Sequence, residues 1–313
     1  MAVSNETRVT QFILLGLTND PDLQIIFFVL CLVMYLLNVV GNLLIIITIY
    51  VDSQLHSPMY FFLSNLSLLD LGVSTLAVPK SLFNFILQSK TISFSDCISQ
   101  VFFFHFVEGA ECFHLVLMAY DRYVAIYNPL RYTTIMNRRA CLLLVVSTWV
   151  GGFIHGLAQS IPVVHLPYCG PNEIKNFFCD AHPLSLLACS STFLTEITDM
   201  INSGILTLGC FLVVFISYVY IISTVLKIRS AEGRQKAFST CASHVLVVVL
   251  FFGPLVFMYM RPSVTFSGDK MVAGFYTVVT PVLNPFIYTL RNEKMKKAMK
   301  RLVGRKKNFL GPL

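Results

Sequence analysis

The chain has 313 residues, 56% of them hydrophobic and only 12% charged, and a formal net charge of +7. So apolar a composition excludes an ordinary soluble enzyme. The positive charge follows from the placement of lysine and arginine about a membrane, and it calls for no nucleic-acid partner.

The first 20 residues are polar and lack the basic-then-apolar start of a cleavable signal peptide, so the first apolar stretch is expected to serve as the targeting signal. Asn5-Glu6-Thr7 is an N-glycosylation sequon in that tail. Seven apolar stretches follow, at 24–50, 59–87, 98–127, 140–164, 197–226, 240–260 and 271–290. Each is near or above the roughly 20 residues that cross a bilayer as a helix. Within lipid every backbone N–H needs an internal partner, so these stretches are expected to be helical. Little alternation of polar and apolar residues is visible, which argues against a membrane barrel. The connections are too short to cover seven such helices with soluble structure. The predicted fold is therefore an all-α membrane protein, a seven-helix bundle over 24–290 between an outer tail at 1–23 and an inner tail at 291–313.

With the amino terminus outside, only Arg8, Lys80, Lys90, Lys175, Arg261 and Lys270 of the 23 basic residues lie on the outer side. That bias sets the orientation, although the first inner loop, 51–57, has neither Lys nor Arg. The longest connection, about 164–195, has Pro162, Pro167, Pro171 and Pro183 in or beside it and is placed to cap the outer mouth of the bundle. Between Arg291 and Lys307, Met295, Ala298, Met299, Leu302 and Val303 recur at helical spacing among basic residues. This pattern predicts a short amphipathic helix held on the inner surface by anionic lipids, with a disordered basic tail as the alternative. No internal repeat is apparent, which counts against a transporter of inverted halves.

Of nine cysteines, Cys31, Cys112, Cys141, Cys210 and Cys241 fall in helices or near the inner face. Cys97, Cys169, Cys179 and Cys189 fall on the oxidising side, where four thiols allow three pairings among which spacing does not choose. In the third stretch, residues 97, 104, 108, 111, 115, 118 and 122 advance by seven and then by three or four, and share one face. Glu108 and Glu111 on that face must look into the bundle, because a carboxyl group turned to lipid is costly. Glu111 has a natural companion in Asp70 of the second stretch. A shared cation or a shared proton would relieve their repulsion. Glu108 finds a partner either in His105, three residues earlier, or in an amine ligand.

Two motifs carry a family resemblance. Met118-Ala119-Tyr120-Asp121-Arg122-Tyr123-Val124-Ala125-Ile126 places an adjacent acid and base at the end of the third stretch. It resembles the cytoplasmic end of the third helix in rhodopsin-like G-protein-coupled receptors. The seventh stretch ends in Pro281-Val282-Leu283-Asn284-Pro285-Phe286-Ile287-Tyr288, whose prolines remove backbone donors and kink the helix. It resembles the Asn-Pro-x-x-Tyr switch of the same receptors. The runs 55–63 (Leu-His-Ser-Pro-Met-Tyr-Phe-Phe-Leu) and 236–244 (Lys-Ala-Phe-Ser-Thr-Cys-Ala-Ser-His), with Ser217-Tyr218, narrow the resemblance to the tetrapod-type olfactory branch. It extends from about Thr10 to Arg301. Two positions depart from pattern. Phe252 stands two residues before Pro254, where most rhodopsin-like receptors carry Trp, and Tyr127 replaces the usual Cys.

The resemblance implies disulfides Cys97–Cys179 and Cys169–Cys189, and a sodium ion at Asp70 and Glu111 with Asn42, Ser67 and Asn284 in the same layer. No other cofactor is implied. Asp121 would hold Arg122 at rest and release it to a G protein, with Tyr123, Tyr218, His244, Asn284, Pro285 and Tyr288 completing the inner switch. A small odorant would sit among Phe104, His105, Glu108, Gly109 and Cys112, then Asn202 and Leu206, then Phe252, Leu255, Val256 and Tyr259, and Thr277. Apolar walls with a few directional polar groups suit such a ligand. The implied partners are odorant, membrane lipid and a stimulatory heterotrimeric G protein that raises cyclic AMP. The implied place is the plasma membrane of olfactory cilia. A metabolite receptor in another tissue on the same scaffold is the alternative. Enzyme signatures such as His-Glu-x-x-His and Gly-x-Ser-x-Gly do not occur.

Overall fold

The computed structural model describes residues 9–18, 20–189, 193–259 and 268–309. Strand β1 (Gln11–Leu14) precedes α1 (Pro21–Val51), α2 (Pro58–Leu87), β2 (Thr91–Ser93) and α3 (Phe94–Tyr127). A short α4 (Tyr132–Ile135) leads into α5 (Arg138–Val164), β3 (Glu173–Ile174) and α6 (Ala181–Ser185). Then come α7 (Phe193–Leu226), α8 (Ala231–Tyr259), α9 (Asp269–Gly274), α10 (Thr280–Arg291) and α11 (Glu293–Phe309). Among the described residues, seven helical segments are long and apolar enough to cross a membrane: α1, α2, α3, α5, parts of α7 and α8, and the continuous run Asp269–Thr289. The sequence places the same seven.

Local chemistry starts the helices where they start. Pro21 and Pro58 open α1 and α2, where a missing N–H costs nothing. Asp20, Ser93 and Asn137 cap α1, α3 and α5 by accepting from backbone N–H groups of the first turn. The bundle buries polar groups among its apolar core and turns apolar stripes outward. Asn38, Asn42, Asp70, Glu108, Glu111 and Asn284 are buried, while Ile25, Ile26, Val29, Leu30 and Val33 on one helix alone are exposed. This is the arrangement a lipid solvent favours. Small residues let α5 lie close on α3: a Cβ at Gly152 would sit 2.4 Å from the Phe106 carbonyl oxygen, and one at Gly156 2.8 Å from that of Phe102.

The seventh crossing contains a π turn, Phe275–Val279, between α9 and α10. Pro281 offers no N–H to the Thr277 carbonyl four residues earlier. That carbonyl accepts instead from Ser74 Oγ at 3.0 Å, while the Pro281 carbonyl accepts from Asn42 Nδ2 at 3.3 Å. The irregular backbone is satisfied by side chains of α1 and α2.

Part of the amino-terminal tail is structured. β1 pairs antiparallel with β2 and parallel with β3. Phe12 and Leu14 are buried there in a second core with Ile92, Val101, Tyr168, Ile174 and Leu184. At the other end of the bundle, α11 buries Met295 and Ala298. Its Arg301 Nη2 meets Asp52, in the connection between α1 and α2, at 2.6 Å. That connection has no Lys or Arg of its own and holds an acid that receives one from α11.

Candidate ligand and coupling sites

The amino-terminal half of α3 is tied to the long connection between α5 and α7, the outer loop of the expected topology. Cys97 is bonded to Cys179 and Cys169 to Cys189. Gln100 Oε1 accepts from the Cys179 N–H at 2.9 Å. The next loop residue, Asp180, is thereby set over α3, and its Oδ1 lies 3.0 Å from His105 Nε2. His105 Nδ1 lies 3.0 Å from Glu108 Oε2. All three side chains are buried. Of the two partners open to Glu108 from sequence, the structure supplies His105. A carboxylate only accepts hydrogen bonds, so a histidine between two carboxyl groups either donates from both ring nitrogens or meets one acid that keeps its proton.

Phe104, Cys112, Phe252 and Leu255 fall in one buried cluster, with Leu206 packed against it. Phe104 stacks toward Phe178 of the outer loop at 4.9 Å between ring centroids. Phe252 meets Phe211 at 6.0 Å and Phe251 at 5.2 Å. Gly109 faces His155 of α5, and Thr277 is buried with Oγ1 donating to the Ala273 carbonyl at 2.7 Å. Asn202 and Val256 are half-buried. The side chain of Tyr259 and all of Asn5 lie outside the described residues. A cavity of about 510 Å³ lies elsewhere, between β1, α1, α2 and the outer loop, lined by Phe27, Phe28, Phe85, Lys90 and Phe177 among others. Among the described residues, none of those expected to bind ligand lines it.

Below the column of expected ligand residues is a polar layer. Asn284 Nδ2 donates to Asp70 Oδ1 at 2.8 Å, and Asn42 Nδ2 to Asn38 Oδ1 at 2.5 Å. Asp70 Oδ2, Glu111 Oε1, Asn42 Oδ1 and Asn284 Oδ1 are buried with no hydrogen-bond partner among the described residues. Four orphaned oxygens are a donor set that fits a hard cation such as sodium.

At the inner end, Asp121 Oδ1 accepts from the Tyr132 hydroxyl at 2.7 Å. Among the described residues no ion pair joins Asp121 to Arg122. The two side chains leave a helix about 100° apart, and the tyrosine that opens α4 meets the acid first. Burial, then the charge of Asp121, pushes the Tyr132 phenol above its usual pKa, so it remains a neutral donor. Arg122 is buried with Nε unpartnered among the described residues. Its charge reaches Tyr218, His244 and Tyr288. Tyr218 hydroxyl lies 2.8 Å from His244 Nδ1, joining α7 to α8. Pro285 lies inside α10. Tyr123 stacks on Tyr127 at 5.2 Å, a contact made by the residue that departs from the usual Cys.

Residues 30–306 match the family model for the olfactory receptor. The chain belongs to the olfactory receptor family. Olfactory receptor 4E2 of Mus musculus is 54% identical over 302 residues, which is 96% of this chain and 98% of that one. Olfactory receptor 4E2 of Homo sapiens is 53% identical over 298 residues, 95% of each chain. Olfactory receptor 10G7 of Homo sapiens is 50% identical over 301 residues, 96% and 97% of the two chains. This receptor is therefore a rhodopsin-like G-protein-coupled receptor that crosses the membrane several times, and not an enzyme.

Three residues of these clusters could not be picked out from sequence. Asp180 follows Cys179, so a disulfide to the top of α3 was the available signal. His155 carried none beyond being a histidine inside an apolar stretch. Tyr132 opens α4, a single turn too short to show a periodicity.

Proposed function

We propose that this receptor binds small, mostly apolar organic odorants in the column between α3, α7, α8 and the π turn of the seventh crossing, and activates a stimulatory heterotrimeric G protein to raise cyclic AMP. The observation that carries this is the division of labour along α3. Its outer half holds an apolar column with one polar cluster. Its inner end holds Arg122 within reach of Tyr218, His244 and Tyr288. A single rigid helix connects the two, so a ligand that favours one packing of the column biases the arrangement of the inner cluster.

The amino-terminal tail, 1–23, faces outward with a glycan on Asn5. Residues 24–290 form the receptor body, and 291–313 lie on the inner lipid surface of the olfactory cilium. A sodium ion between Asp70 and Glu111 holds the resting state. Cyclic AMP in cells expressing the receptor, measured against a chemically diverse odorant panel, tests the reading. At least one odorant should give a saturable rise that disappears when the stimulatory G protein is deleted. A response that instead needs an inhibitory or calcium-linked G protein refutes the coupling.

A further inference from the structure

His155 of α5 has no part in the proposed odorant column, yet it is buried against it. Its ring meets His105 edge-on, with centroids 5.7 Å apart. A side chain at Gly109 would lie 2.9 Å from His155 Cδ2, so glycine there makes room for the imidazole. One ligand atom from each of His105, Glu108 and His155 lies within 4.8 Å of the others. Glu108 Oε1 is buried with no hydrogen-bond partner among the described residues.

We propose that His105 Nδ1, Glu108 and His155 form a binding site for a zinc-type divalent ion, positioned by Asp180. Two imidazoles and one carboxylate are a donor set that holds zinc with one coordination position left open. Zinc–ligand bonds of about 2.0–2.2 Å place donors roughly 3.3 Å apart in a tetrahedron. His105 and Glu108 are already at 3.0 Å, so the closure required falls on the His155 side chain. The ion takes the place of the proton between Nδ1 and Oε2, which leaves to water. Asp180 on the far nitrogen of His105 fixes the ring so that Nδ1 presents its lone pair to the metal, as carboxylate–histidine pairs do in metal sites.

The all-oxygen layer around Asp70 suits sodium. This cluster, with two nitrogens, suits zinc. The open position takes water or the nitrogen or sulfur donor of a small ligand. Metal-coordinating organic molecules are thus a ligand class for this site, whichever G protein the receptor couples to.

Zinc binding to the purified full-length receptor, measured by calorimetry in detergent, tests this without any G protein. The wild-type receptor should take up one equivalent. His155→Gln should weaken binding by more than 100-fold. Asp180→Asn should weaken it about 10–100-fold, the usual effect of losing an outer partner of a ligand. His165→Ala, at an exposed histidine of the outer end, should leave it unchanged. The cobalt form of the unaltered receptor gives a readout that needs no variant: visible absorption of a four-coordinate nitrogen–oxygen site. Equal zinc affinity in wild type and His155→Gln, loss in His165→Ala, or a six-coordinate cobalt spectrum would each overturn the proposal.

Discussion

Adding one methyl group at Gly152 should force α3 and α5 apart. The new Cβ would sit 2.4 Å from the Phe106 carbonyl oxygen, 2.5 Å from the Ala110 nitrogen and 2.7 Å from Ala110 Cβ. Ordinary contact begins near 3.4 Å, so relief needs about 1 Å of helix displacement. Two of the three obstacles are backbone atoms, which cannot rotate away. Overpacking of this kind costs ~1–3 kcal/mol, and a backbone obstacle places the cost at the upper end. Alanine returns about 1 kcal/mol through its better helix propensity. The net loss is ~2 kcal/mol, about a 30-fold fall in the folded-to-unfolded ratio. Gly209→Ala supplies the control, because nothing lies within 4 Å of its Cβ. It should be neutral or slightly stabilising. Thermal unfolding of the purified receptors, with surface staining in cells, reads both. If Gly152→Ala melted no lower than Gly209→Ala, close contact of α3 and α5 would not be what sets their packing.

Arg122→Ala should abolish ligand-evoked cyclic AMP while leaving surface delivery largely intact, because its buried guanidinium makes no ion pair with Asp121 that folding would lose. Normal signalling in that variant would refute the inner switch. Cys97→Ser and Cys179→Ser should each cut surface expression, and the double variant should be no worse than either. Their bridge closes a segment of 82 residues, worth ~4.5 kcal/mol on the chain-entropy model. Additive losses would mean that the two cysteines act separately. Raising sodium, with potassium holding ionic strength constant, should lower basal G-protein turnover in membranes, and Glu111→Gln should blunt that dependence. An unchanged sodium response would remove Glu111 from the layer of orphaned oxygens and leave a shared proton as its relief.

The seven crossings, the inward face of α3 and the inner switch motifs could be read from sequence because each rests on a local rule. Lipid demands internally satisfied backbone, so apolar length alone marks a helix. Burial follows the 3.6-residue period, so the spacing of Phe104, Glu108 and Glu111 marks the face turned inward. The composition of residues 1–23 did not reveal β1, since a strand of four residues gains its stability from β2 and β3, far along the chain.

Tertiary structure alone decided which polar groups meet. His105 and Asp180 are 75 residues apart, and Arg301 and Asp52 are 249 apart. No periodicity spans such distances. The pairing depends on where a disulfide and a helix crossing bring the chain back. The same holds for His155, which reaches Glu108 only because Gly109, Gly152 and Gly156 let two helices approach within backbone contact. Sequence determined what must be hidden from lipid, because burial is a property of each residue. Packing determined what it is hidden against, because that is a property of pairs.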